Sequence, residues 1–326
     1  MKKVIIDSDF GIDDAVALFL AIDSEDLDVL GITTIYGNVD VEQATMNGHF
    51  LLEFLNASNI PIYRGAGTPL VRERYVSDET HGKYGLGNIV IDKKYEDWHT
   101  KTAPSYMIEM AQKYPDEITL ITLGPLTNVA NALTKNPDAM SQIKEIISMG
   151  GGVFKGNMSP VAEFNIWCDP EAAKIVYDSQ IPVKMVGLNV THEVVLTPND
   201  STFIKLIGGE KGALLSEMLE YYTTFYWNQE QIMGCVMHDP LAVAVASDQS
   251  IIDFMHAHVD ISLSEVTRGE CIVDVLHAWS KPNNSFVGMS VCPETFFDHF
   301  YKTLFKDKQR EYLDFKSFGQ KQIKRG

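Results

Sequence analysis

Residues 4–20 read VIIDSDFGIDDAVALFL, an apolar run that leads into a cluster of acids and then into a second apolar run. This order predicts a buried strand, a tight turn and the start of a helix. Four carboxylates, those of Asp7, Asp9, Asp13 and Asp14, meet at the junction. Aspartate is a common helix N-cap, which accounts for one or two of them, but four acids repel one another unless a cation or a hydrogen-bonding ligand lies among them. The stretch therefore predicts a site for a hard divalent cation or a polyhydroxylated ligand.

The composition favours a globular protein and excludes several kinds of partner. The chain has 326 residues, of which 45% are hydrophobic, and a formal net charge of −17 that argues against nucleic acid as a partner. The four cysteines form no Cys-x-x-Cys pair, so we expect neither a thiolate zinc site nor a disulfide framework, and a reducing compartment fits. No apolar run approaches the length of a bilayer span, and a core strand begins at once, without a signal peptide. We expect a cytoplasmic protein that does not bind membranes.

Short β-branched runs alternate with helical patterns over residues 1–200. This alternation predicts an α/β fold, with a mostly parallel open sheet and helices on both faces. We predict strands at Lys3–Ile6, Val29–Ile35, Ile60–Tyr63, Ile118–Thr122, Glu145–Met149 and Val183–Val186, and helices at Asp14–Ala21, Val41–Leu55, Ala103–Lys113, Leu126–Leu133 and Pro170–Asp178. Polar residues follow several of these strands, at the sheet edge where ligands of such folds bind.

Residues 201–326 have a different pattern, which predicts a helical and β-hairpin extension. It contains an aromatic-rich helix at Glu217–Gln231, an antiparallel pair formed by Phe254–Ser264 and Cys271–Leu276, and a last helix at Pro293–Leu304. No linker or repeat marks a boundary in the sequence. We therefore predict a single domain over residues 1–326, in which residues 1–200 form the core that carries the acidic cluster.

The acidic cluster fits two known calcium or magnesium motifs poorly. An EF-hand loop is excluded because Ile12 stands at its glycine position and Leu18 stands where its bidentate glutamate belongs. The turn also resembles that of haloacid-dehalogenase-type phosphatases, in which Asp7 would be a nucleophile toward phosphate and Mg²⁺ the cofactor. That family normally continues with a Gly-Thr-type turn, whereas Phe10-Gly11-Ile12 supplies no hydroxyl. The phosphatase remains the lower-ranked alternative.

Three further segments carry polar side chains suited to a ligand site. His238-Asp239-Pro240 precedes a buried helix, where a histidine can donate a proton near neutral pH and an aspartate can ligate a metal. Asn157, Glu163 and Asn165 follow a Gly-rich turn and alternate with apolar residues, and amides and carboxylates are groups that hold sugar hydroxyls. Residues Thr80–Gly87 fit a mobile lid and a plain surface loop about equally well.

Seven segments, in this order, resemble the motifs of the inosine–uridine-preferring nucleoside hydrolase family. They are Asp7–Asp14, Thr33–Asn38, Leu123–Asn128, Met149–Gly151, Glu163–Asn165, His238–Ala242 and Thr267–Gly269. One match would be weak, but seven in order form a specific signal. The resemblance implies the Rossmann-like nucleoside hydrolase fold and a Ca²⁺-dependent enzyme of nucleoside salvage that hydrolyses ribonucleosides to ribose and free nucleobase. It also implies a homodimer or a homotetramer.

The resemblance further implies the metal ligands and the catalytic groups. Asp9, Asp14, the main-chain carbonyl of Leu123 and Asp239 would ligate the calcium, which takes roughly six to eight oxygen ligands. Asp9 would also take the proton from the attacking water. His238 would lie on the base side as a candidate acid for the leaving nucleobase.

The substrate contacts that the resemblance implies divide between the sugar and the base. On the sugar side, Asp13 and Asn165 would hold ribose hydroxyls, Asn38 would lie beside the ring, and Asn157 and Glu163 would hold the 5′ end. On the base side, the residues that would close over the substrate are His81, Tyr222, Tyr226 and Trp227.

Two residues depart from the family pattern. Phe10 replaces the usual proline, which predicts a less rigid turn and an aromatic ring beside the metal corner. Asn189 stands where relatives commonly have aspartate. Neither removes a proposed metal ligand, so both bear on substrate preference and turnover. A non-catalytic nucleoside-binding protein is the other alternative, and the intact Asp9 and His238 argue against it.

Overall fold

The computed structural model describes residues 1–75, 80–95 and 99–323, with side chains through residue 318. The strands are β1 Lys2–Ser8, β2 Leu27–Thr34, β3 Ile62–Arg64, β4 Ile118–Thr122, β5 Glu145–Met149, β6 Val183–Val186, β7 Val195–Leu196, β8 Cys235–Val236, β9 Ile252–Ala257, β10 Val259–Ile261, β11 Cys271–Val273 and β12 Ser285–Val291. The α-helices are α1 Ile12–Asp23, α2 Val41–Phe54, α3 Ala103–Lys113, α4 Thr127–Lys135, α5 Pro137–Met140, α6 Phe164–Cys168, α7 Pro170–Tyr177, α8 Leu188–Thr191, α9 Pro198–Ile207, α10 Gly209–Glu230, α11 His238–Ser247, α12 Pro293–Leu304 and α13 Gln309–Ile323.

A central sheet of eight of these strands organises the fold, in the order β3-β2-β1-β4-β5-β6-β12-β9. Neighbouring strands are parallel except for β12 and β9, which are antiparallel. The predicted α/β fold with a mostly parallel sheet is therefore confirmed. None of the helices in the described part of the chain is both long and apolar enough to cross a membrane.

The predicted C-terminal hairpin is only partly correct. The segment Phe254–Ser264 contains two strands, because β9 pairs with β12 of the central sheet and only β10 pairs with β11. The sequence pattern indicated neither β12 nor the change of partner near His258. Apolar residues occur in both β9 and β10, so the sequence pattern does not indicate where one strand ends and the next begins.

The two faces of the sheet are buried by different helices, and strand residues alternate between them. Ile5, Leu120 and Ile146 share one face with apolar residues of α3, α4 and α7. Ile6, Ile121 and Ile147 belong to the other cluster, which includes residues of α1 and α11. Because side chains alternate along a strand, the residue two positions after each of these lies on the same face.

The turn between β1 and α1 has a strained backbone that the core holds in place. Phe10 has a φ of +43°, in the left-handed region that proline cannot adopt. Its ring is buried, and a Cβ atom added at Gly48 of α2 would lie 2.9 Å from the ring atom Cε2. The expectation that the Phe10 ring lies beside the metal corner is therefore wrong, since the ring packs in the core against α2.

We expect Gly48→Val to lower the free energy of unfolding by about 1–3 kcal/mol, because the new side chain would overlap the buried Phe10 ring. The measurement is the urea unfolding midpoint. Gly67→Val is the matched control, since a Cβ atom there meets its nearest neighbour at 3.4 Å and we expect a change within about 0.5 kcal/mol. Equal midpoints for the two variants would contradict the packing assigned to Phe10.

Candidate active site

A cavity of about 510 Å³ opens at the carboxyl ends of β1, β2, β4 and β5. Its lining consists of Asp13, Asn38, Thr80, His81, Leu123, Met149, Gly156, Asn157, Glu163, Phe164, Asn165, Tyr222, Phe225, Tyr226, Gln229, Glu230, His238 and Asp239. Most of the predicted site residues are thus brought to one cavity. Asp9 and Asp14 are fully buried next to it.

Two carboxylates that line this cavity, with a third buried beside it, form a group that fits a hard cation. Asp13, Asp14 and Asp239 each place one oxygen within 4.8 Å of the others, and all three side chains are buried. Burial raises the pKa of all three, and neighbouring carboxylates raise the pKa of Asp13 and Asp239 further. Oxygen-only donors and negative charge are what Ca²⁺ and Mg²⁺ require, so the residues present fit such an ion.

Asp9 is held beside this group by Asn38. Its Oδ2 accepts a hydrogen bond from the main-chain amide of Asn38 at 2.7 Å, and its Oδ1 accepts one from the side-chain Nδ2 of Asn38 at 3.1 Å. A Cβ atom at Gly37 would lie 1.9 Å from Oδ2, so only glycine fits there. Burial, followed by the charge of Asp14, raises the pKa of Asp9 well above its usual range. A raised pKa suits a carboxylate that takes a proton during a reaction.

The end of the cavity formed after β4 and β5 carries amides and a carboxylate. Asn165 Nδ2 donates to the Leu123 carbonyl at 2.7 Å and to the Met149 carbonyl at 3.1 Å. Glu163 caps α6 and accepts from the amides of Asn165 and Gly151 at 2.9 and 3.0 Å. Burial raises the pKa of Glu163 to about 7. The carbonyl of Leu123, a predicted metal ligand, therefore already accepts a hydrogen bond from Asn165.

Asn157 belongs to the same end of the cavity, where its Oδ1 accepts a hydrogen bond from the Phe164 amide at 2.9 Å. This contact ties the loop between β5 and α6 to the first residue of α6. Its Nδ2 group remains a donor that can face a ligand.

At the opposite end, His238 lies between two hydroxyl groups. Its Nδ1 is 2.7 Å from Thr191 Oγ1, and its Nε2 is 2.6 Å from the Tyr226 hydroxyl. Burial, followed by the charge of His192, lowers the pKa of His238 well below its usual range. His238 is therefore neutral near pH 7, and the hydroxyl of Tyr226, another lining residue, lies against its Nε2.

His81 connects the loop at Thr80–Gly87 to the start of α1. Its Nδ1 accepts a hydrogen bond from the Ile12 amide at 3.0 Å, and burial lowers its pKa to about 3. Because Nδ1 accepts, the hydrogen of the neutral ring is on Nε2. The ring lies 5.1 Å from the ring of Tyr222. This end of the cavity thus combines aromatic surface with two neutral histidines.

Comparisons with known proteins identify the family of this chain. Residues 4–298 match the model of a family described as inosine-uridine preferring nucleoside hydrolase. The chain belongs to this family. It is therefore a nucleoside hydrolase, an enzyme that cleaves N-glycosyl compounds.

Individual relatives are similar over nearly their whole length. The inosine-uridine preferring nucleoside hydrolase of Leishmania major is 35% identical over 92% of this chain and 95% of its own. The probable uridine nucleosidase 2 of Arabidopsis thaliana is 36% identical over 82% of this chain and 84% of its own. The solved structure of a purine-preferring ribonucleoside hydrolase from Gardnerella vaginalis aligns with a TM-score of 0.88, 31% identity, and coverage of 93% of this chain and 98% of its own.

One predicted base-side residue of this nucleoside hydrolase lies outside the cavity. Trp227 is 47% exposed and does not line it, whereas Phe225, Gln229 and Glu230 do. The helical period explains the difference. Positions 222, 225, 226, 229 and 230 follow the i, i+3, i+4, i+7, i+8 pattern of one helix face, and position 227 lies on another face. This pattern was available in the sequence.

We expect Ca²⁺ to raise the melting temperature of the metal-free protein, because a bound cation offsets the repulsion among the buried carboxylates. At a hundred times the dissociation constant the gain is roughly 3 kcal/mol. Asp239→Asn should lose most of this rise while its metal-free form stays at least as stable as the wild type. Thermal unfolding in chelator and in graded Ca²⁺ measures both. The exposed Asp92→Asn is the control, and an undiminished rise in Asp239→Asn would argue against the site.

Proposed function

We propose that this chain is a Ca²⁺-dependent ribonucleoside hydrolase of nucleoside salvage, which releases ribose and the free nucleobase. The observation that carries the proposal is the group formed by Asp13, Asp14 and Asp239 at a cavity of about 510 Å³. The two ends of that cavity differ in chemistry. One end offers amides and a carboxylate that suit sugar hydroxyls, and the other offers aromatic rings that suit a nucleobase.

The residues proposed to hold the calcium are Asp9, Asp14, Asp239 and the Leu123 carbonyl. Carboxylate and carbonyl oxygens favour Ca²⁺ or Mg²⁺ over thiophilic metals. When bound, the ion supplies a Lewis acid that orients a water molecule and sugar hydroxyls. Asp13, Asn38 and Asn165 are proposed to hold the ribose, and Asn157 and Glu163 its 5′ end.

Asp9 is proposed to take the proton from the attacking water. Its burial supports this role, because burial and the charge of Asp14 raise the pKa of Asp9 and make it a stronger base than a free aspartate. Asn38 fixes both carboxylate oxygens, which restricts the direction in which Asp9 can accept. Cleavage passes through an oxocarbenium-like state, and the surrounding carboxylates stabilise the positive charge that develops on the ribose.

The departing base is proposed to receive a hydrogen bond from Tyr226. A neutral His238 can donate from Nε2 to the Tyr226 oxygen while its Nδ1 accepts from Thr191. The Tyr226 hydroxyl hydrogen can then point either to the Tyr222 hydroxyl, 3.3 Å away, or to the base, and we propose the second arrangement for the bound substrate. His81 offers a second donor from Nε2, and Tyr222 and Phe225 provide ring surface for stacking. In this proposal Phe225 replaces the predicted Trp227.

The alternatives fit the geometry less well. Asp7, the nucleophile of a phosphatase, is fully buried and does not line the cavity, and its Oδ1 accepts from Thr33 and Asn128. A non-catalytic binding protein would need the same pocket, but the membership of this chain in a family of hydrolases disfavours it. We further propose a cytoplasmic location, with which the free cysteines agree, and a homodimer or homotetramer, which sedimentation would test.

The experiment that tests the proposal is ribose release from inosine, uridine, cytidine, adenosine and guanosine, with and without a calcium chelator. Release that stops with chelator and returns with Ca²⁺ supports the proposal. The names of the relatives include inosine-uridine, uridine and purine preferences, so the panel also ranks the bases. Binding without any release would favour the non-catalytic alternative.

We expect Asp9→Asn to lower kcat by about 10²–10⁴-fold, because it removes the proposed base while it keeps the shape of the side chain. Because Asp9 is also a proposed calcium ligand, both enzymes are compared at saturating Ca²⁺, where nucleoside binding should change far less. Ribose release measures kcat, and calorimetry measures binding. Asp26→Asn, at an exposed position, is the control and should keep full activity. Undiminished turnover in Asp9→Asn would exclude it as the base.

We expect Tyr226→Phe to slow hydrolysis of natural nucleosides by about 10–100-fold, because the leaving base loses its proposed donor. A riboside of 4-nitrophenol should be cleaved by the variant at close to the wild-type rate, since its leaving group is stable as an anion. The ratio of the two rates in each enzyme is the measurement. An equal loss with both substrates would assign Tyr226 a purely structural role.

A further inference from the structure

Four polar residues occupy neighbouring register positions across the central sheet. Thr33 of β2 and Thr122 of β4 are both in register with Asp7 of β1, and Ser148 of β5 is in register with Thr122. All four side chains are fully buried. Asp7, Thr122 and Ser148 follow Ile5, Leu120 and Ile146 by two positions and share their face of the sheet. We call these four residues the polar row.

Only part of the polar row is satisfied by protein groups. Asp7 Oδ1 accepts from Thr33 Oγ1 at 2.6 Å and from Asn128 Nδ2 at 2.8 Å. Asp7 Oδ2, Thr122 Oγ1 and Ser148 Oγ have no hydrogen-bond partner among the described residues. Buried polar atoms normally have hydrogen-bond partners, and a single atom without one can be explained by local strain. Three exceptions at consecutive register positions, about 4.8 Å apart from strand to strand, have a common cause.

We propose that internal water occupies the polar row and bridges Asp7 Oδ2, Thr122 Oγ1 and Ser148 Oγ. Because Asp7 and Ser148 lie two strands apart, one water would bridge Asp7 Oδ2 and Thr122 Oγ1, and a second would bridge Thr122 Oγ1 and Ser148 Oγ. Each water can donate and accept, and contacts with its protein partners and with the other water give it the two to four bonds that buried water typically makes. No metal or organic ligand fits as well, since two of the three groups are neutral hydroxyls on rigid strands.

The polar row is adjacent in sequence to two residues that line the cavity, Leu123 and Met149. Leu123 follows Thr122, and its amide donates to the Asp7 carbonyl at 2.8 Å. Met149 follows Ser148, and its carbonyl shares the Asn165 Nδ2 donor with the Leu123 carbonyl. The hydrated row therefore fixes the strand ends from which the Leu123 carbonyl and Asp9 project. Asp7 is a positioning residue for the metal corner, a role that rests on the proposed calcium ligands.

The test compares Thr122→Val and Ser148→Ala with the wild type, in chelator and in Ca²⁺. If water bridges the row, each variant removes a partner, so the melting temperature falls in chelator and the Ca²⁺ affinity measured by calorimetry drops by about 10-fold. If the row is dry, each variant removes an unsatisfied hydroxyl, so the melting temperature stays equal or rises. That second result would overturn the inference.

Two further variants separate hydration from packing. Thr122→Ser keeps the hydroxyl and loses only a methyl group, so it should retain the wild-type Ca²⁺ affinity. Thr119→Val lies on the same strand, where Thr119 Oγ1 donates to Glu145 Oε1 at 3.1 Å, and it should lower the melting temperature without changing Ca²⁺ affinity. A loss of affinity in Thr119→Val equal to that in Thr122→Val would also contradict the inference.

A crystal structure at atomic resolution provides the direct readout, with density for water between Asp7 and Thr122 as the expected result and a dry row as the opposing one. The stability measurements in chelator and the crystal structure depend on neither calcium nor turnover. A protein that lacked ribose release but kept the hydrated row would refute the proposed function alone. An active enzyme with a dry row would refute the inference alone.

Discussion

The rest of the structure depends on the repulsion among four buried carboxylates, those of Asp9, Asp13, Asp14 and Asp239. Removing ionised carboxylates from water costs several kcal/mol each unless other groups compensate. The fold supplies part of the compensation. Asp14 accepts from Ser8 Oγ and the Gly11 amide at 2.6 and 2.8 Å, and Asp9 accepts twice from Asn38. The repulsion that these hydrogen bonds do not offset would be offset by a bound cation.

The helix arrangement follows from the same constraint. Asp13 and Asp14 lie in the first turn of α1, and Asp239 lies in the first turn of α11. The amino ends of two helices therefore meet at the corner, and their partial positive charge favours the acids. His81, which is proposed to lie on the base side, accepts a hydrogen bond from the Ile12 amide, the first of α1, and so is attached to the turn that carries Asp9, Asp13 and Asp14. The turn that carries the proposed metal ligands and a residue proposed to contact the base are therefore joined by a direct hydrogen bond.

The sequence predicted those features that local patterns encode. Strand-to-helix alternation predicted the parallel sheet, and acids placed after strand ends predicted the corner, because parallel strands bring their carboxyl ends to one edge. Contacts that depend on distant residues were not predictable. The Phe10 ring was expected at the metal corner because it neighbours Asp9 in sequence, but a hollow at Gly48, 38 positions away, accepts it. The division between β9 and β10 depends on β12 in the same way.

The charge distribution of the cavity has a consequence for how the two halves of the substrate are treated. None of the described residues that line it is a lysine or an arginine, and its two histidines, His81 and His238, have lowered pKa values. A negative charge that developed on the leaving base would therefore find only neutral donors. A positive charge that developed on the ribose would be surrounded by carboxylates. Such an environment favours a transition state in which the bond to the base breaks early and the positive charge lies on the sugar. Neutral hydrogen bonds are then sufficient to release the base.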